Sequence, residues 1–396
     1  MALNTKRTIL AMAEKIMFDK GFANATISEI AAAVGVADSV IYYYFRNKEE
    51  LLFAIIEYKL KEFMELLSRQ LEGILDPISR LRKLIWCYLD YCDNNLGYTS
   101  LLMYDCLRNR NFFKHHAYQE LRKYAAIILE ILNDGVEKQL FQKDLDLRII
   151  REMIIGLLNF ENLDWLLTDE IERVALDLDD IMNLLLSLLS AKTDPAKKES
   201  SKSHKILLAA QEIFSAKSYQ AASISEIAKK AAVSEATIYK YYKSKEALVS
   251  SIADTYFVEL IANLNDLLVP ESPLRRLRSV LLFHSLDMWT KPDRMKIFIN
   301  QVFYNLHFRD THHVFFNEYA KIIYPILDEG KQMGQFRKDI NNRVYRNLVW
   351  GSLGSLQLRW LRKEEDITTG KLSQVILTVE YLLKSVASEA FVHHIQ

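Results

Sequence analysis

Asp38, Ser39, Val40, Tyr42, Tyr43 and Tyr44 fall within about two turns of helix and offer short polar groups, an apolar contact and phenolic hydroxyls. Such a set suits the phosphates and base edges of duplex DNA rather than bond-making. Lys48 follows near the start of the next predicted helix, where its ammonium and the helix N-terminus can meet a phosphate. Tyr239, Tyr241 and Tyr242 repeat the aromatic cluster later in the chain. Tyr42 alone is equally well explained as core; the repetition of the whole cluster argues against that reading.

Chemistry of other kinds lacks its machinery. The sequence contains no G-x-S-x-G, no H-E-x-x-H and no Gly-rich phosphate loop, so no catalytic residue is assigned and the chain is not read as an enzyme. His115-His116 and His312-His313 are adjacent pairs, which do not share a helix face, so they are assigned to solvent or pocket walls; His393-His394 is assigned to a frayed tail. Cys87, Cys92 and Cys106 are odd in number and form no C-x-x-C pair, which indicates neither a disulfide framework nor a zinc site. No metal and no cofactor is expected.

The elements that must position the DNA-facing residues are helical. Half of the 396 residues are hydrophobic, and 11 Gly and 6 Pro are too few for the turns of a sandwich or barrel, so the fold class is all-α. The length suggests two or more domains. Formal net charge is zero, against non-specific coating of nucleic acid. Residues 1–52 carry six Lys/Arg and six Asp/Glu, whereas residues 201–250 carry eight Lys and four Glu. The amphipathic N-terminus lacks the features of a signal peptide, and the apolar stretch from Ile181 to Leu189 is far short of a membrane span. A cytoplasmic protein without a membrane partner is expected.

The chain is a duplication. Ile9 to Leu51 align without gaps onto Ile206 to Leu248 at a shift of 197, with 18 of 43 positions identical. A second register, at a shift of 195, pairs Gly135 with Gly330, Phe141 with Phe336, Asp144 with Asp339, Gly156 with Gly351 and Trp165 with Trp360. A repeat of this length means tandem domains rather than a solenoid. The expected division is a helix-turn-helix head at 1–52, a helical ligand-binding and dimerisation body at 53–190, a polar linker at 191–203, a second head at 204–249 and a second body at 250–396.

Within each head, Thr26 with Glu29, and Ser223 with Glu226, form capping boxes that open a short helix. Gly35 then permits the left-handed turn into the next helix, which is the pattern of a helix-turn-helix whose second member enters the major groove. The segments L-A-M-A-E-K-I-M-F-x-x-G-F, T-I-S-E-I-A, G-V-A-D-S-V-I-Y-Y-Y-F and N-K-E-E-L resemble the N-terminal signature of the tetracycline-repressor (TetR/AcrR) family. The resemblance spans about forty-five residues of each repeat. It implies an operator-binding head and a body that binds an inducer and dimerises. Residue by residue, it implies DNA contacts at Thr26, Ser28, Ser39, Val40, Tyr42, Tyr43, Tyr44 and Lys48, and in the second head at Ser223, Ser225, Ala236, Thr237, Tyr239, Lys240, Tyr241 and Lys245.

The second copy departs from the first. Gly35 becomes Ala232, Gly21 becomes Ser218, Ser39-Val40 becomes Ala236-Thr237 and Tyr43 becomes Lys240. Ala232 in a left-handed conformation costs roughly 1 kcal/mol, so the second head either turns differently or is less stable.

The bodies show helical periodicity broken at Asp76-Pro77, Asn94-Asn95, Asn133 to Gly135 and Asp144, and correspondingly in the second repeat, which fits some six helices each. By analogy with the family, Arg148 to Leu167, Ile181 to Leu189, Arg343 to Leu361 and Leu372 to Val386 form a four-helix interface. The economical arrangement is an intramolecular pseudo-dimer; its rival is pairing of each repeat with a second chain. Aromatic residues of the remaining helices suggest an apolar pocket for a small hydrophobic or aromatic effector: Trp86, Tyr91, Met103, Tyr104, Phe112 and Phe113, and in the second repeat Phe283, Trp289, Phe298, Phe303 and Tyr304.

The reading is therefore a ligand-responsive transcriptional regulator, a repressor released from double-stranded operator DNA by its effector. The alternative is a helical sensor or interaction module whose heads have lost DNA binding; the neutral first head favours it, and the retained Tyr42, Tyr44 and Lys48 oppose it. Because the two recognition helices differ, the operator is expected to be non-palindromic. Binding to two symmetrised operators, one built from each half-site, checks this: the affinities should differ, and equal affinities would contradict it.

Overall fold

The structure, a computed structural model, describes residues 2–107, 109–168, 170–190, 202–216, 222–252, 272–290, 309–363 and 369–395. The described elements are helices, joined only by two isolated β-bridges, Phe141 with Ser190 and Phe336 with Ala387. None is long and apolar enough to cross a membrane among the described residues. The chain divides into two compact units, one made of 1–191 with 276–396 and the other of 192–275.

In the first unit, α1 (Ala2–Lys20) turns Ile9, Ala13 and Met17 inward at four-residue intervals, the spacing of one helix face. Thr26 caps α2 (Ile27–Val34) with the expected box: its side chain accepts from the Glu29 amide while the Glu29 carboxylate accepts from the Thr26 amide. Gly35 closes α2 at φ 78°, and α3 (Asp38–Tyr44) follows with Ile41 buried against the head. The next helix, α4 (Lys48–Leu71), runs unbroken from head into body, so the expected 52/53 division falls inside a helix.

The body of the first repeat continues with α5 (Pro77–Asn94), α6 (Leu96–Leu101), a π-helical turn (Leu102–Cys106), α7 (Arg110–Lys114), α8 (Ala117–Glu137), α9 (Leu147–Leu167) and α10 (Leu178–Leu189). Asp76 and Asp146 cap α5 and α9, matching the expected breaks there. The break expected at Asn133 to Gly135 is absent, because α8 runs to Glu137. Gly135 is a packing site instead: a Cβ there would lie 2.0 Å from the Phe141 ring, and at Gly330 a Cβ would lie 2.0 Å from the Phe336 ring. Both repeats thus seat a phenylalanine on a glycine late in a long helix.

The second unit holds α11 (Lys202–Ala216), α12 (Ile224–Lys230) and α13 (Glu235–Tyr241) around Ile206, Ala210, Ile227, Ile238 and Leu248. Ser223 and Glu226 reproduce the capping box. Ala232 keeps the left-handed turn at φ 53°, and the Val233 amide donates to Ala228 O at 3.0 Å just as Val36 donates to Ala31 O at 3.0 Å. The turn is the same and the alanine carries its strain. Ser218 lies outside the described residues, as does nearly all of the 191–203 linker.

Among the described residues, the second repeat's body holds α14 (Pro273–Thr290), most of it in the first unit, and, in that unit, α15 (Arg309–Gln332), α16 (Asn342–Lys363) and α17 (Thr369–Val386). Among the described helices the most extensive packing is that of α9 on α16, and α10 packs on α17. At the α9–α16 crossing, a Cβ on Gly156 would lie 2.1 Å from Gly351 O, and a Cβ on Gly351 would lie 2.2 Å from Gly156 O. The two backbones touch, reciprocally. Side chains tie the same four helices further: Asp146 N donates to Tyr381 Oη at 2.8 Å, Asn341 Nδ2 to Asp180 Oδ2 at 2.7 Å, and Ser187 Oγ to Ser385 O at 2.8 Å.

The positive φ at Ala232 generates a stability prediction. Ala232→Gly should stabilise the second head by about 1 kcal/mol, and Gly35→Ala should destabilise the first by a similar amount. Denaturant titration followed by hydrogen exchange at each head checks both; a destabilising Ala232→Gly would contradict the strain.

Candidate functional site

The recognition helix α3 presents Ser39, Tyr42 and Tyr43 to solvent, positions i, i+3 and i+4 that share a face. Tyr43 is 82% exposed and Tyr42 54%. Large aromatic side chains that no core claims are the surface signal of a contact site. Val40 and Tyr44 are half-buried, and Tyr44 meets Tyr43 edge-on at 5.1 Å. Thr26 is exposed at the N-cap, and the Ser28 hydroxyl donates to Asp38 Oδ2, tying α2 to α3.

Lys48 is placed differently from expectation. Its ammonium donates to Phe22 O at 2.7 Å, Ala23 O at 3.0 Å and Ala25 O at 2.8 Å, and it sits 4.7 Å from the centre of the Phe22 ring. All three donors of the ammonium serve the loop between α1 and α2, so Lys48 fixes the head rather than reaching for phosphate.

In the second head, Ala236, Tyr239 and Lys240 take the corresponding exposed face, with Ser223, Ser225 and Tyr241 also exposed. Thr237 is half-buried, its hydroxyl 2.8 Å from that of Ser234, and Lys245 is half-buried. Lys229 and Lys230 at the end of α12 are exposed, Lys230 paired with Glu212. The first face carries phenols and no cation; the second exchanges its outermost phenol for an ammonium.

A cavity of about 1020 Å³ lies against α5, α8 and α9 of the first body and is closed on one side by α16. Its apolar wall includes Tyr88, Leu102, Phe113, Tyr124, Phe160 and Trp350. Tyr88 stacks on Tyr124 with centroids 5.3 Å apart, and Phe160 stacks on Trp350 at 6.3 Å. The Tyr88 hydroxyl donates to Asn159 Oδ1 at 3.3 Å, and burial holds the Tyr88 and Tyr124 phenols well above their ordinary pKa, as neutral donors. Among the described residues, the buried Tyr124 hydroxyl and the buried Arg151 Nε have no hydrogen-bond partner, which is costly unless a ligand or water supplies one.

Of the aromatic residues expected to line a pocket, Phe113 does. Trp86 stands outside, half-buried under the Lys83 ammonium at 4.2 Å. Tyr91 donates to Lys59 O at 2.9 Å and serves the junction of α5 with α4. Met103 and Tyr104 are buried in the π-helical turn, Phe112 packs on Phe53 of α4 at 5.3 Å, and Phe283 is 74% exposed. The Trp289 side chain and Phe298, Phe303 and Tyr304 lie outside the described residues. Sequence reasoning missed Tyr118, Tyr124, Phe160 and Trp350 because it gave α9 and α16 wholly to the interface. The aligned Gly156 and Gly351, which bring those helices together, were the available signal.

At the other end of the α9–α16 contact, the wall is ionic. Arg343 donates to Glu161 Oε2 at 2.9 Å and reaches Asp164 and Asp177; Arg346 donates to Asp164 Oδ2 at 2.7 Å, and Asn347 Nδ2 to the same oxygen at 2.8 Å. Glu161, Asp164, Arg346 and Asn347 are fully buried. Burial outweighs Arg343 at Glu161 and, helped by Asp177 and Asp164, raises its carboxyl to about 8. Asp177 is raised for the same leading reason.

Helix-turn-helix heads at two places in one chain whose first unit also holds an aromatic cavity define a DNA-binding regulator that responds to a small molecule. Residues 9–55 and 206–252 match the family described as bacterial regulatory proteins, tetR family, and residues 56–188 and 295–383 match the YsiA-like protein, C-terminal region. The chain belongs to the tetR family, twice over. It is similar to the fatty acid metabolism regulator protein of Bacillus subtilis (strain 168), 28% identical over 183 residues, or 45% of this chain and 92% of the relative. It is also similar to the transcriptional repressor NicS of Pseudomonas putida, 26% identical over 162 residues, or 40% of this chain and 76% of that one. Among solved structures, the fatty acid degradation regulator FadR from Bacillus halodurans is 27% identical, covering 46% of this chain and 94% of its own, with a TM-score of 0.43.

The ionic end predicts a pH dependence. A carboxyl whose folded pKa is raised binds its proton more tightly when native, so its contribution to stability is complete below the unfolded value of 4.5 and is lost as pH rises through about 8. Melting temperatures of the wild type should fall across that window, with a slope of at most about 1.4 kcal/mol per pH unit from this group. Glu161→Gln should flatten the slope; an unchanged slope would contradict the assignment.

Proposed function

We propose that this chain is a repressor in which the two tetR-like repeats stand in for the two subunits of a dimer. The observation that carries the reading is the reciprocal contact of Gly156 with Gly351, made within one polypeptide, since a two-fold interface is built from the same patch on both partners. Heads at 1–52 and 204–249 read two unlike half-sites, through Ser39, Tyr42 and Tyr43 in one and Ala236, Tyr239 and Lys240 in the other. Ser223 and Ser225 contact phosphates, Thr26 and Ser28 do so once their hydroxyls turn away from the Glu29 and Asp38 carboxylates to which they donate, and Lys48 positions the head from behind. The bodies at 53–190 and 250–396, joined by the 191–203 linker, sense the effector. The protein acts in the cytoplasm.

The effector belongs in the cavity between α8, α9 and α16. At about 1020 Å³ it stands at the upper end of ligand pockets, which run to roughly 1,000 Å³, and its aromatic wall suits a long hydrocarbon chain. The name of the Bacillus subtilis relative, a fatty acid metabolism regulator, supports a fatty-acyl compound. Filling the cavity would act on Leu102, the first residue of the π-helical turn, and on Leu107, which follows its last, and so on α6, which packs against α1 of the first head.

The test is binding to DNA flanking the chain's own gene, read by fluorescence anisotropy with mass determination of the complex. One chain per operator and release by palmitoyl-CoA are expected; an obligate dimer of chains would overturn the pseudo-dimer, and no DNA binding with or without acyl compounds would favour an interaction module. Tyr43→Ala and Lys240→Ala should each weaken binding about tenfold or more. Only Lys240→Ala should lower the slope of log affinity against log salt, by about one.

A further inference from the structure

The 195-residue register that pairs Gly156 with Gly351 also pairs Arg148 with Arg343, Arg151 with Arg346, Glu161 with Leu356 and Asp164 with Arg359. The two ends of the α9–α16 contact have therefore kept their arginines and diverged in what faces them. At one end Arg346 donates to the buried Asp164 carboxylate at 2.7 Å. At the other, the counterpart of Arg346 is Arg151 and the counterpart of Asp164 is Arg359, and both line the cavity. A carboxylate partner has been replaced by a second cation.

The remaining charges on the cavity wall do not restore the balance. Glu152 pairs with its neighbour Arg151 at 2.6 Å but leaves Arg151 Nε buried without a partner. Glu130 pairs with Arg80 at 3.1 Å, outside the wall. Among the described residues, Arg359 has no ion-pair partner, and Arg122, also on the wall, donates only to the Gln119 amide oxygen. Arg122 and Arg359, without a carboxylate partner on the wall among the described residues, and the unpartnered Nε of Arg151 require either solvent or an anion.

We propose that the cavity binds an amphiphile whose anionic head takes the place of the missing Asp164-type carboxylate, held by Arg151 from the first repeat and Arg359 from the second, with its hydrocarbon chain against Tyr88, Tyr124, Phe160 and Trp350. This rests on the effector reading above and adds the head group's charge and the sharing of the site by both repeats. The ionic end, already closed by Arg346 and Asp164, offers no such place.

The test uses full-length protein and three probes with the same tail, palmitate, hexadecyl phosphate and hexadecanol, with binding read by the fluorescence of Trp350 against a Trp350→Phe control and by calorimetry. At least one anionic probe should bind about tenfold or more tighter than the alcohol; the two anions separate a carboxylate-specific from a phosphate-specific site. Arg359→Gln should remove that advantage, bringing the anionic probes to the affinity that the same variant shows for hexadecanol. Arg359→Asp should do the same and raise the melting temperature of the unliganded protein, by removing one cation from the wall and offering Arg151 Nε a carboxylate in the position that Asp164 holds against Arg346. Equal affinities for all three probes, or an anionic preference that survives both variants, would overturn the proposal. The two readings fail separately. If the alcohol releases DNA as well as the anions do, the repressor reading stands without this one; if charge-dependent binding occurs in a chain that never binds DNA, this one stands alone.

Discussion

The approach of α9 to α16 depends on two residues having no side chain. With any Cβ at Gly156 or Gly351 the contact would close to near 2 Å against backbone atoms that cannot move aside, and the helices would have to separate along their whole length. Close packing of this kind is worth little at the crossing point itself, because glycine contributes no apolar area there. Its value lies further along: helices that touch at one point diverge on either side, and each divergent end must be filled with something. The character of the protein follows from what fills them.

One end is filled by the chain's own charges. Burying Arg343, Arg346, Glu161 and Asp164 carries a desolvation cost that an apolar replacement would avoid, and such networks are weak evidence for stability. Their geometry does fix register, because the forked guanidiniums meet carboxylates and an amide only when α9 and α16 are correctly rotated. The network is not fully compensated: among the described residues, Glu161 Oε1 and Asp177 Oδ2 are buried without a hydrogen-bond partner, and burial raises the Glu161 carboxyl. The opposite end is filled with aromatic rings and space, and its polar atoms are left asking for partners.

Much of this was legible in the sequence, for reasons that are local. Capping boxes, a turn glycine and helical periodicity involve residues within a few positions of one another, so Thr26 with Glu29 and Ser223 with Glu226 announced their helices, and the duplication showed as identity at fixed shifts. What failed was anything decided by distant parts of the chain. Gly135 read as a helix break because composition cannot show the Phe141 ring that lies on it. Lys48 read as a phosphate ligand because its sequence neighbours do not include the three carbonyls that occupy it. Tyr91, Met103, Tyr104 and Phe112 have the composition of a pocket wall but face α4 or the core, and which side of a buried helix meets empty space is set by the helix opposite.

Duplication in one chain changes what such an interface can become. In a homodimer of identical subunits, the position occupied by Asp164 in one partner and by Arg359 in the other would be a single position, so both ends would carry carboxylates or both would carry arginines. Closing both ends leaves no shared cavity of this charge; opening both forfeits the network that fixes register. In the proposed arrangement, covalent linkage removes that constraint, because each copy can mutate alone. The same freedom accounts for the heads, where Tyr43 and Lys240, or Gly35 and Ala232, would otherwise have had to agree. Asymmetry at the DNA-facing surface and asymmetry at the cavity then have one physical origin: the two halves of a two-fold contact are encoded separately.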